Sequence, residues 1–168
     1  MTPSRLLTLT CVALTSISLT ACGPTVPPPP VECTVPTANP VVHTSLAAGE
    51  TWASGVHEVP SSLSLSGVGS LTIAPCTEVR LGADASLRFY DGAKLVADGT
   101  QTNPIRFVRK DTASAWGSIY VREPGTASLT WATLEGGGST GTLSSADFKA
   151  ASLVGDGSGD TPQVILKV

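Results

Sequence analysis

Large apolar residues return every eight positions along one stretch of this chain, at Leu71, Val79, Leu87 and Leu95. Around them, short runs such as "LTI", "VRL", "LRF", "IRF" and "SIYV" alternate apolar with polar, and "GAD", "DGA", "DGT", "TNP", "EPG" and "EGGG" separate the runs. Alternation with a period of two between such punctuation predicts short strands with one buried face. The punctuating Gly, Asn and Asp supply left-handed turn conformations, and Pro pre-sets φ. Helix signals are nearly absent after the first twenty residues, so the expected class is all-β.

Three intervals of eight make twenty-four, and self-similarity at that period follows. Leu71, Leu95, Ile119 and Leu143 form one column, Leu81, Ile105, Leu129 and Leu153 a second, and Leu63 with Leu87 and Leu65 with Phe89 a third. The third fades where "RKDTASAWGS" reads as an insertion in one turn. The pattern predicts three short strands per coil, with coils stacked about 4.8 Å apart so that each strand pairs with its counterparts above and below. It also predicts neighbours across coils: Asp98 beside Arg122, and Phe107 beside Trp131. From residue 41 to 168 there is room for roughly five coils.

Specific motifs fill this frame. Thr51-Trp52, Leu71-Thr72-Ile73, Pro75, Thr77, Val79, Lys94-Leu95, Ala97, Gly99-Thr100, Asn103-Pro104-Ile105, Phe107, Trp116-Gly117 and Gly136-Gly137 resemble the repeat of right-handed parallel β-helix proteins of the bacterial exported lipoprotein type. The resemblance covers about two-thirds of the chain and implies an all-β right-handed solenoid. Cys76 stands where that family usually has Gly.

The N-terminus gives an address. Arg5 is the only charge in the first thirty-one residues, and the apolar run after it is too short and too rich in Thr and Ser to read as a spanning helix. Leu19-Thr20-Ala21-Cys22 resembles a lipobox. Residues 1–21 are therefore expected to be a lipoprotein signal peptide, with Cys22 as the acylated residue. Two or three acyl chains, at about 0.8 kcal/mol per buried methylene, would hold the protein on a membrane firmly. Residues 22–40 form a linker whose four consecutive prolines, Pro27 to Pro30, favour an extended polyproline conformation. Residues 41–168 are the β-helix domain. Its closing "QVILKV" has nothing after it to cover a last coil, which points to a fragment of a longer helix. The expected location is the bacterial cell envelope, at the outer membrane or cell surface.

Composition narrows the partners. Beyond the signal, nine Lys and Arg face thirteen Asp and Glu with no basic cluster, which argues against nucleic acid. Cys33 and Cys76 remain once Cys11 and Cys22 are accounted for, and an exported pair is expected to form a disulfide. No metal or cofactor is expected, since His43 and His57 are the only histidines. Both are expected to be exposed or to cap the first coil.

Catalysis has weak footing. Glycoside hydrolysis needs carboxylates gathered on one face, whereas Asp84, Asp91 and Asp98 are seven apart and each belongs to a turn. Arg80, Arg88, Arg106 and Arg122 occupy outward strand positions without acidic clusters that would suit a lyase. "GDGSGDT", with Asp156, Ser158 and Asp160, lacks the closing Glu of a calcium loop and reads as a surface loop. Trp116, Tyr120 and Trp131 are candidates for an aromatic platform for sugar rings. The expectation is a non-enzymatic binding or structural module, with polysaccharide or an envelope protein as partner. The alternative is a carbohydrate-active β-helix.

Overall fold

The computed structural model describes residues 33–35, 39–139, 152–157 and 164–167. The expected signal peptide, Cys22, Leu143, Ser158 and Asp160 lie outside them. Among the described residues there is no helix, and the strands form three parallel sheets. Sheet A takes β1 (Val41–Val42), β3 (Gly55–Val59), β6 (Thr77–Leu81), β9 (Ile105–Arg109) and β12 (Ala132–Leu134) in that order. Sheet B takes β2 (Glu50–Trp52), β5 (Ser70–Ile73), β8 (Lys94–Asp98), β11 (Thr126–Thr130) and β14 (Val164–Lys167). Sheet C takes β4 (Leu63–Ser66), β7 (Leu87–Tyr90), β10 (Ile119–Arg122) and β13 (Leu153–Asp156). From β2 onward the chain visits B, A and C in strict rotation, and each strand pairs in parallel with the strand three places later.

Strand alternation produces this arrangement. In β6, Thr77, Val79 and Leu81 are fully buried, while Glu78 and Arg80 between them are not. In β7, Leu87 and Phe89 point in and Arg88 and Tyr90 point out. The inward set, including Ile73, Leu95, Ile105, Phe107 and Ile119, forms one continuous core enclosed by the three sheets. Each such side chain contributes about 1.5–3 kcal/mol by leaving water. Corners are tight where the core demands it: a Cβ on Gly82 would stand 2.5 Å from the Pro60 carbonyl oxygen. Outside, Glu78 of β6 binds Arg80 at 2.8 Å and Arg106 of β9 at 3.4 Å, so the arginines are outward as expected and partnered.

The expected columns hold in the early rounds only. Leu63 pairs with Leu87, Leu65 with Phe89 and Leu71 with Leu95, as expected. Beyond Leu95 the register shifts: Leu95 pairs with Ala127, and Ile119 with Leu87 and Leu153. Leu81 pairs with Arg109 and Leu129 with Ala97, so the second column does not exist. The cause lies in two longer corners, 99–104 between β8 and β9 and 110–118 between β9 and β10; the latter contains the insertion read from the sequence. Asp98 consequently lies opposite Thr130 rather than Arg122, and Phe107 opposite Val79 and Leu134 rather than Trp131.

Cys33 and Cys76 are joined, with sulfurs 2.16 Å and Cα atoms 5.9 Å apart. The bond ties the segment before β1 to the corner between β5 and β6. Cys76 has φ 60°, the left-handed conformation that a Gly would adopt there.

Candidate functional site

The outward face of sheet C gathers aromatic, basic, acidic and hydroxyl side chains. Register places Ser66 beside Tyr90 on neighbouring strands, Arg88 beside Tyr120, and Arg122 beside Asp156. Because outward positions alternate along each strand, these residues share one surface. The Arg122 guanidinium carbon lies 4.8 Å from the centre of the Tyr90 ring, and its Nη2 is 3.5 Å from Asp91 Oδ1. Ser66 Oγ donates to the other carboxylate oxygen of Asp91 at 2.5 Å. The Tyr90 and Tyr120 rings are 5.7 Å apart and tilted by 56°. Tyr120 donates to Asp156 Oδ2 at 2.6 Å.

Exposure separates what is structural from what is accessible. Tyr120 is 8 % exposed, whereas the side chains of Arg122 and Asp91 are 50 % and 58 % exposed. Burial, then the hydrogen bond and charge of Asp156, pushes the Tyr120 phenol up to about 12. Tyr120 therefore holds its proton at neutral pH and serves as a donor, not a base. A depression of about 420 Å³ lined by Arg122, Glu123, Asp156 and Gly157 opens beside this group. Its chemistry is that of polar recognition: a planar cation stacked on an aromatic ring, with carboxylates at its rim.

The three expected platform aromatics do not share a face. Trp116 is fully buried in the corner before β10, its indole N–H donating to the Glu135 carbonyl at 2.8 Å, so it supports the core. Tyr120 belongs to sheet C, and Trp131 stands in the corner between β11 and β12. Trp131 is 36 % exposed and has φ 47°, unusual for a bulky residue. Tyr90, which sequence reasoning passed over, is the residue that brings Tyr120 and Arg122 together. The signal was present in "LRFY" and "IYVR", whose second and fourth positions face the same way.

The aspartates are dispersed. Asp84 and Asp91 occupy turns with φ 56° and 54°, as expected for residues serving the backbone. Asp98 instead ends β8, outside the turn, and accepts hydrogen bonds from Ser128 and Thr130 at 2.8 and 2.9 Å. Among the described residues no group of three or more His, Cys, Asp and Glu could hold a metal ion. His57 is 5 % exposed, in the middle of β3 and pointing inward against His43 and Trp52 of the first round, which corrects the expectation of an exposed side chain. Both of its ring nitrogens have partners, which is what permits its burial.

No protein-family model, curated protein or solved structure matches the chain.

Proposed function

We propose that the protein is an acylated, envelope-anchored lipoprotein whose right-handed parallel β-helix acts as a non-enzymatic binding or structural module. The observation that carries this reading is the strict rotation of the chain through three parallel sheets around one continuous core. A stack of this kind pairs each strand with its counterparts above and below and presents a flat outer face on each sheet. The joined Cys33 and Cys76 suit an oxidising compartment outside the cytoplasm, in keeping with the lipobox at Cys22 and the motifs shared with exported β-helix lipoproteins. Anchoring is tested by fatty-acid labelling of the full chain in a bacterial host. Label and membrane fractionation are expected in the parent and lost in Cys22→Ala; label retained in the variant overturns the anchor.

Polysaccharide is the second reading, favoured by Arg122 stacked on Tyr90 beside an open depression. A glycan panel run with the full chain tests it. Retention of a polysaccharide without its depolymerisation, weakened at least tenfold in Arg122→Ala, is the expected result. Product release would overturn the non-enzymatic reading, and an empty panel would leave the structural role.

A further inference from the structure

A partly buried chain of polar contacts closes the first round of the fold. His57 Nε2 lies 2.8 Å from the Ala53 carbonyl oxygen, and its Nδ1 lies 2.8 Å from His43 Nε2. His43 Nδ1 in turn lies 3.2 Å from Glu50 Oε1. Both imidazoles stack with Trp52, at 4.1 Å for His43 and 5.2 Å for His57 between ring centres. The Glu50 carboxylate also accepts from the Trp52 indole at 2.8 Å and the Ala47 amide at 2.9 Å.

Counting protons along this chain is decisive. It has an acceptor at each end, the Ala53 carbonyl and the Glu50 carboxylate, and three contacts between. Each contact needs one proton, and two neutral imidazoles carry two. The Ala53 oxygen can only accept, so His57 donates from Nε2 and receives at Nδ1 from His43 Nε2–H. That leaves His43 Nδ1 bare against Glu50, at the longest of the three separations. One further proton fits there and completes the chain. A second has no vacant contact, and it sets two N–H groups head to head across the 2.8 Å between His43 and His57.

The surroundings give this count mechanical meaning. β1 meets β3 at only two residue pairs, Val41 with His57 and Val42 with Glu58, extended by the His43 amide donating to the Glu58 carbonyl at 2.8 Å. The other charged groups on the packed strands are already engaged: Glu58 with Lys110 at 2.6 Å, and Glu78 with Arg80. Val79 is the residue of β6 opposite His57. The geometry points to a proton-operated latch, in which the Glu50–His43–His57 chain takes up one proton between His43 and Glu50, while a second parts His43 from His57 and frees β1 from β3. The Cys33–Cys76 bond would keep the released segment tethered. Burial holds His43 below the ordinary histidine range.

A nitrogen-15 NMR titration of the imidazoles in the full chain, from about pH 8 to about pH 4.5, tests the latch. At the start both Nε2 atoms should carry protons and His43 Nδ1 none; His43 Nδ1 should then be protonated before His57 Nδ1. Amide-exchange protection of His43, whose N–H donates to the Glu58 carbonyl, corrected for intrinsic rates, should fall at least tenfold when the second proton arrives. A protonated His43 Nδ1 at about pH 8, or that protection unchanged with both rings charged, would overturn the proposal. Glu50→Gln removes the anion beside Nδ1 and should move the first uptake to lower pH; an unmoved titration also overturns it. His43→Phe keeps a ring on Trp52 and should make protection of the amide at position 43 independent of pH.

Discussion

Tyr120 of β10 donates its phenolic hydrogen to Asp156 of β13 over 2.6 Å, joining two neighbouring strands of sheet C from their outer face. Burial first, then Asp156, raises the phenol to about 12. A group whose folded value exceeds its unfolded value of about 10 stabilises the fold fully below that unfolded value, and the contribution is lost as pH rises through the folded one. Ultraviolet absorbance of tyrosinate should therefore show one of the two tyrosines ionising near pH 12. In Asp156→Ala the step should come earlier without returning to the ordinary value, because burial remains. A Tyr120 step at about pH 10 instead would show that neither its burial nor its bond to Asp156 persists in solution.

The disulfide spans a sequence separation of 43 residues. Loop closure of that length stabilises by about 4 kcal/mol on the chain-entropy argument. Replacing both cysteines by Ser should lower the denaturation free energy by that order. The left-handed φ of Cys76 adds a second test. Combining Cys33→Ser with Cys76→Gly should recover about 1 kcal/mol relative to Cys76→Ser, since Gly adopts the conformation without a Cβ clash. Equal stability of the two double variants would mean that the corner relaxes once the bond is gone.

A column of serines precedes the strands of sheet C: Ser62, Ser86, Ser118 and Ser152 each stand immediately before an inward Leu or Ile. Ser62 Oγ accepts the Ser86 amide at 3.1 Å, and Ser86 Oγ the Ser118 amide at 3.0 Å. Ser86→Ala leaves the buried Ser118 N–H without that acceptor, and the cost should be about 1–3 kcal/mol in denaturant unfolding. Ser64→Ala, on the exposed outer face, should cost less than about 0.5 kcal/mol and serves as the control.

That serine column is where the sequence was most informative and least used. Strand identity was legible from alternation, because burial on one side of each strand imposes it. The inward columns were legible for Leu63, Leu65 and Leu71, where corners keep their length. They failed after Leu95 for a physical reason: the two enlarged corners add eight residues to the round, and eight is also the interval between strands. A step of twenty-four from Leu95 thus reached Ile119, an inward residue of sheet C in place of one of sheet B, and the match concealed the slip. The sheet C face was half legible, since Tyr120 and Arg122 were noted separately, but only cross-strand register brings Tyr90 between them. The inward placement of His57 was not legible, because an imidazole at a core position depends on His43 and Ala53 to satisfy it.

Trp131 differs from the other two tryptophans in a way that fluorescence can read. It is 36 % exposed, against 1 % for Trp52 and 0 % for Trp116. A neutral quencher such as acrylamide should therefore reach one tryptophan in three, and Trp131→Phe should remove the quenchable component and shift the remaining emission to the blue. If the polysaccharide reading extends to this corner, a bound glycan should protect the same component in the parent chain, since an exposed indole face is what a sugar ring would cover. Glycan retention with quenching unchanged would confine recognition to the sheet C face around Tyr90 and Arg122. Trp131 would then be left with a local packing role at the corner between β11 and β12, consistent with its carbonyl accepting the Ile105 amide at 3.0 Å.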